Sequence, residues 1–335
     1  MKGGYRTLLR LAAAAAGIAV LVWTISRLGP RRVIQLGLEA DPWWLVASLL
    51  PVLARYLIWG YKWQRMLCRD RFVSLRDTLR MLMAGCFINL TTPTAKLGGG
   101  VLRAATLHKR HGFGLSTGFG WVLADQVTNS LGGMLLFGSL AIAGGLLAPG
   151  GSVTAYVVSG SLSLLLFVAI LAARPASQRA AQNPKLAAFF LRFTPARFRV
   201  PEKEGGTSAW LEPLLRPLVR QAGWSDTLMS TWSFAALCAS NALTLKALGV
   251  DAPAWMVAVA VAVGYFAGNG LGPMGGIGVT EAAMTGVYLQ LGIDGEVAAA
   301  GVLLHRAGYY LVGLLWGGIA LLRIGRKMAI PPPQA

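Results

Sequence analysis

The chain has 335 residues, 55% of them hydrophobic and only 13% charged, with a formal net charge of +18. Apolar residues arranged in long runs exclude an ordinary soluble domain, and the lack of short alternating strands excludes a transmembrane β-barrel. The composition specifies an all-α, polytopic integral membrane protein with about six spanning helices. Its basic excess, gathered between the apolar runs, fits membrane topology and anionic lipid rather than nucleic acid.

Leu8–Ser26 follows Lys2 and Arg6 and has no small-x-small cleavage site before Arg31 and Arg32, so it reads as a first spanning helix and not a signal peptide. Trp43–Tyr61, Leu115–Leu147, Thr154–Ala173, Asp226–Leu248 and Glu296–Leu322 are each long and apolar enough to span. Two further segments, Leu79–Leu107 and Ala252–Leu291, are apolar but broken by Pro and Gly. Between Arg174 and Trp224 lies the largest polar stretch, where Phe189, Phe190, Phe193 and Trp210 alternate with basic residues. It is expected as a connecting loop or an amphipathic helix on the cytoplasmic leaflet. The Pro331-Pro332-Pro333 tail reads as disordered.

Basic residues orient these elements. Lys62, Arg65, Arg69, Arg71, Arg76 and Arg80 follow the second helix; Arg103, Lys109 and Arg110 follow the first broken segment; Arg323, Arg326 and Lys327 close the chain. Placing them all in the cytoplasm, with both termini, requires each broken segment to be a re-entrant helical hairpin. The first turns near Pro93–Gly100 and the second, opening the opposite way, near Pro273–Gly278. The chain then divides into an N-terminal helix and loop (1–42), a first repeat (43–148), a linking helix and basic cytoplasmic loop (149–225), a second, inverted repeat (226–323) and a tail (324–335), all in one transmembrane domain, 1–335.

The two breaks carry the same punctuation. Asn89 is followed by Pro93, then Gly98-Gly99-Gly100-Val101-Leu102-Arg103; Asn269 is followed by Pro273, then Gly275-Gly276-Ile277-Gly278-Val279-Thr280-Glu281. Broken helices at matching places in two halves point to a transporter's binding site. Four charges stand at membrane depth: Arg103 and Glu281 after the turns, Asp125 in the long helix of the first half, and Arg306, beside His305, in the last helix. Unpaired charges in hydrocarbon are costly, so opposite pairs where the halves meet are expected, with the partner assignment open. Such pairs either hold helices together or line a cleft in which Arg103 or Arg306 contacts a phosphate. Helix starts after Gly100 and Gly278 would add backbone N–H donors there, and Asn89 and Asn269 would line the turns.

Cys68, Cys86 and Cys238 have neither metal nor disulfide spacing, and His108 and His111 sit in a basic run, so no metal and no cofactor is expected. Hydrolase, zincin and phosphate-loop motifs are absent, and the chain is not expected to be an enzyme. An intramembrane transferase acting on polyprenyl phosphate, with Asp125 or Glu281 as base, is the minority alternative.

Pro273-Met274-Gly275-Gly276-Ile277-Gly278-Val279-Thr280-Glu281-Ala282-Ala283, with Leu291-Gly292-Ile293, Ala298-Ala299-Ala300 and His305-Arg306, resembles the lysylphosphatidylglycerol synthase transmembrane family, also called the flippase-like domain family. Asn89, Pro93, Gly98-Gly99-Gly100, Arg103 and Val122-Leu123-Ala124-Asp125-Gln126 agree with it, and the resemblance extends from Trp43 onward. At Gln126 the chain departs from the arginine common in the family. The resemblance implies a multi-pass protein of the bacterial cytoplasmic (inner) membrane that flips lipids or lipid-linked groups. With no aminoacyltransferase domain before Ala335, it is expected to be a stand-alone member that does not itself make the aminoacyl lipid.

The expected site comprises Asn89, Pro93, Gly99, Gly100, Arg103, Asp125, Asn269, Pro273, Gly275, Gly276, Gly278, Glu281 and Arg306. The expected substrate is an anionic phospholipid or a polyprenyl-linked glycolipid. The expected partners are membrane lipids and either a second copy in a homodimer or a membrane or cytoplasmic synthase. The rival function is a non-catalytic scaffold for such a synthase, docking through 174–224.

Overall fold

The structure, a computed structural model, describes residues 29–92, 97–147, 153–181, 213–218, 223–271 and 275–329, with single positions between 15 and 26. The described residues are helical, with no strand among them. A short helix where a loop is expected from the sequence, α1 (Pro30–Glu39), starts with Pro at its first position, whose fixed φ suits a helix start, and turns Val33 inward. Then come α2 (Pro42–Leu67), α3 (Leu75–Thr91), α4 (Leu97–His111), α5 (Leu115–Leu147), α6 (Val153–Ala181), α7 (Trp224–Lys246), α8 (Ala254–Leu271), α9 (Val279–Gln290) and α10 (Gly295–Ala329). The first expected span and most of the 174–224 stretch fall outside the described residues.

α2, α5 and α10 are long and apolar enough to cross a membrane. Large apolar side chains that remain exposed along α2, α6 and α10 (Leu50, Leu57, Leu162, Leu165, Leu315 and Leu322) form the surface a lipid phase would cover. Both broken segments are helical hairpins, α3–α4 and α8–α9. The return arm α9, 12 residues long, extends about 18 Å, well short of the roughly 30 Å hydrocarbon core.

The first helices of the two halves lie side by side and antiparallel. Asp41 N donates to Ala247 O at 2.9 Å at one end. Arg55 meets Ser233 O at 3.3 Å in the middle, and Arg69 pairs with Asp226 at 2.6 Å at the other end. Corresponding helices of the two halves therefore run in opposite directions. The remaining packing repeats under exchange of the halves: α3 packs on α10 as α8 packs on α5, and each hairpin closes on its own long helix. There are two large cores. One joins the first hairpin to Val52, Tyr56 and Trp63 of α2, Trp121 of α5 and Ala320 and Ile324 of α10. The other joins the second hairpin to Phe234 and Leu237 of α7, Phe137 of α5 and Val302 of α10. α5 and α10 each run unbroken from one core into the other.

Small residues bring these helices close without a hydrophobic drive between them. A Cβ on Gly99 would lie 2.2 Å from Gly85 O, and one on Gly132 would lie 2.4 Å from Ser230 Cβ and 2.7 Å from Thr231 N. Gly132→Leu is thus expected to lose about 1–3 kcal/mol of stability, read as a fall in thermal midpoint in detergent. Gly286→Ala, where a Cβ meets nothing within 4 Å, should leave the midpoint unchanged. Equal midpoints for the two variants would contradict the α5–α7 contact.

Candidate functional site

The four expected charges pair within each half, hairpin arm to long helix. Arg103 on α4 meets Asp125 on α5 at 2.7 Å; Arg306 on α10 meets Glu281 on α9 at 2.7 Å. The pairs occupy matching places with the signs exchanged. The two opposite pairs expected from the sequence, whose partners it left open, thus form within each half.

The first pair is sealed. Asp125 is fully buried and also accepts from Lys62 at 2.8 Å and from Trp59 Nε1 at 2.9 Å. Lys62 reaches further, to Asn129 Oδ1 at 2.9 Å, Ser230 Oγ at 3.0 Å and Thr128 Oγ1 at 3.1 Å. The guanidinium of Arg103 lies 3.7 Å from the ring centroid of Trp63. Lys62 corrects the sequence reading, which placed it in the cytoplasmic basic cluster. α2 continues to Leu67 and carries Lys62 inward, with none of it exposed. Here two cations surround one carboxylate, and the hydroxyl and amide oxygens of Thr128, Asn129 and Ser230 take the remaining ammonium protons.

The second pair faces a cavity of ≈ 80 Å³, room for about half a dozen waters. Both hairpins and both long helices contribute to its wall, as do α2 and α7: Arg55, Trp59, Asn89, Gln126, His305 and Arg306 supply most of its polar lining. The last turn of α3 meets the glycine turn before α9 there. Arg306 Nη2 donates to Gly275 O at 2.9 Å and to Tyr310 Oη at 2.8 Å, and a Cβ on Gly275 would lie 2.7 Å from Leu90 Cδ2. The turn into α9 has φ values of 76° at Gly275, 84° at Gly276 and 82° at Gly278, which side chains with a Cβ rarely adopt.

The glycine clusters play different parts from those expected. α4 already starts at Leu97, so Gly98-Gly99-Gly100 lies inside the helix rather than before it. These glycines admit the facing arm: Asn89 Oδ1 accepts from Gly99 N at 2.9 Å across the hairpin. At the second turn, Glu281 Oε2 accepts from Gly278 N at 2.6 Å and caps its own helix. The start of α9 is therefore capped by its own carboxylate rather than open as the phosphate cradle foreseen. Asn89, Gly275 and Arg306 line the cavity, while Arg103 and Asp125 belong to the sealed cluster. Pro93, Pro273 and the side chain of Asn269 lie outside the described residues.

Sequence reasoning passed over Arg55. It is the single charge inside the run Trp43–Tyr61, and an ionisable residue in such a run is a signal in its own right. Arg55 is 5% exposed, its Nε has no hydrogen-bond partner, and no carboxylate among the described residues pairs with it. Among those residues no cluster of three His, Cys, Asp or Glu side chains could hold a metal ion.

An all-helical membrane protein with two antiparallel-related hairpins and a buried polar centre is the class this geometry defines. The chain matches the model of the lysylphosphatidylglycerol synthase TM region over residues 8–317 and belongs to that family. It is 24% identical over 334 residues to a UPF0104 membrane protein of Pyrococcus horikoshii, an alignment covering 93% of this chain and 95% of that protein.

The sealed cluster predicts an order of damage. Asp125→Asn leaves Lys62 and Arg103 buried without a counter-charge and should cost about 3–5 kcal/mol. Lys62→Met leaves the Arg103–Asp125 pair neutral and should cost less. Thermal unfolding in detergent checks this, and the reverse order would contradict the pairing.

Proposed function

We propose that the protein translocates a phosphate-bearing lipid, an anionic phospholipid or a polyprenyl-linked glycolipid, across the cytoplasmic membrane. The observation carrying this reading is the cationic cavity between the hairpins. It has Arg55 and Arg306 on its wall, lies on the seam between the halves and has no Asp or Glu among its described lining residues. A phosphate offers the oxygen acceptors that a guanidinium fork recognises, and the acyl or prenyl chains stay in lipid.

The end of the bundle that carries Arg69, Arg71, Lys109, Arg110 and Arg323 faces the cytoplasm in this reading. The other end, with Glu39, Asp41, Asp251, Asp294 and Glu296, faces outward. The halves rock about the α2–α7 seam, exposing the cavity first to one side and then to the other. α5 and α10, each anchored in both cores, transmit the movement.

Vesicles containing the purified protein and tail-labelled fluorescent phosphatidylglycerol in both leaflets test this. Dithionite should rapidly quench the half of the signal that stays protected in empty vesicles. Arg306→Gln removes a charged hydrogen-bond donor from the cavity and should slow transfer about ten- to a hundredfold. Arg323→Gln, at the helix end, should transfer like wild type. A wild-type rate equal to that of empty vesicles, for both phosphatidylglycerol and a polyprenyl-linked lipid, would sink the reading.

A further inference from the structure

We infer that the headgroup this cavity accepts is a lipid phosphate that carries no amine, and that Arg55 is its anchoring residue; this rests on the translocation reading above. Arg55 is held in place without being neutralised. Its Nη1 donates to Ser233 O at 3.3 Å, Ser233 Oγ donates back to Arg55 O at 3.4 Å, and the guanidinium carbon lies 4.8 Å from the ring centroid of Phe234. One face is packed and one backbone contact is made, while Nε, buried on the cavity wall, has no partner. A buried donor without an acceptor is costly unless water or a ligand supplies one. The remaining N–H groups match the oxygens of a phosphate mono- or diester, which accept from an arginine fork.

The same wall disfavours an ammonium. Glu281 already accepts from Arg306 through Oε1 and from Gly278 N through Oε2. Asp125 lies in the sealed cluster with Lys62, Arg103 and Trp59 on its two oxygens. Of the aromatic rings on the wall, which could otherwise hold a cation, Trp59 and Tyr309 already face a guanidinium, at 5.9 Å from Arg55 and 5.6 Å from Arg306, while Tyr265 packs edge-on against Phe234 and Phe266. An aminoacyl or ethanolamine headgroup would bring its amine against Arg55 and Arg306 with no carboxylate free to receive it, a like-charge contact that selects against it. This chain would therefore not move the aminoacylated lipid for which its family is titled.

The test uses the full chain in vesicles with four tail-labelled lipids: phosphatidic acid, phosphatidylglycerol, phosphatidylethanolamine and lysylphosphatidylglycerol. The two amine-free lipids should cross about tenfold or more faster than the two amine-bearing ones. Arg55→Gln should bring the amine-free lipids to the rate of empty vesicles, and Arg55→Lys should keep part of their transfer. Cys86, which lines the cavity, supplies a second readout that does not depend on an Arg55 variant folding. In a Cys68→Ser, Cys238→Ala background, dihexanoyl phosphatidic acid should slow maleimide modification of Cys86 several-fold, and dihexanoyl phosphatidylethanolamine should not. Equal transfer of all four lipids, or equal protection by both short lipids, would overturn the headgroup assignment and leave translocation standing. Transfer of none of the four, with none of a polyprenyl-linked lipid either, would overturn both.

Discussion

Asp125 accepts from Lys62, Arg103 and Trp59 with none of its surface exposed, and these contacts tie α2, α4 and α5 at one point. Through Lys62 and Ser230 the same cluster reaches α7, the first helix of the other half. In an apolar slab a lone carboxylate or ammonium is too costly to leave unpaired, so the helices that carry these groups have to converge. The antiparallel register of α2 and α7 is pinned at the far end by a backbone hydrogen bond from Asp41 to Ala247 and at the near end by the Arg69–Asp226 ion pair.

The two halves satisfy that rule with opposite signs and opposite degrees of sealing. In the first half, a second cation from α2 joins the pair, and protein oxygens take the surplus protons. In the second half, Arg306 keeps one side toward the cavity, and its Glu281 partner doubles as a helix cap. One pair is thus sealed inside the protein, while the other borders a cavity.

Hairpins are what make such a wall affordable in lipid. Their turns leave backbone groups outside helical hydrogen bonding, which is tolerated at membrane depth only against protein or water. Here Arg306 takes the carbonyl of Gly275, Glu281 takes the N–H of Gly278, and Asn89 takes the N–H of Gly99. The side chains foreseen as ligands for a headgroup are in good part engaged in holding the broken backbone. Arg55, on the continuous helix α2, makes one backbone contact to Ser233, and its Nε has no hydrogen-bond partner among the described residues.

The helical membrane class, the long apolar helices α2, α5 and α10, the places of the two breaks and the four conspicuous charges are legible in the sequence, because they depend on local runs of apolar residues and on the residues that interrupt them. α1 was missed because it is short and follows a run ended by Gly29-Pro30, which reads as loop. Pairing was not legible: Arg103 chooses Asp125, and Glu281 chooses Arg306, because the hairpins fold back onto their own long helices. Lys62 looked cytoplasmic because it stands at the end of an apolar run. Only the continuation of α2 to Leu67, against Asn129 and Ser230, turns it into the interior. Arg55 was visible as a lone charge, but its lack of a carboxylate partner is a property of the assembled bundle. Sequence determined which segments are apolar enough to span a membrane, since transfer from water to lipid is set residue by residue. Tertiary structure decided which charges meet a counter-charge and which, like Arg55, do not, since that depends on helix register across the seam between the halves.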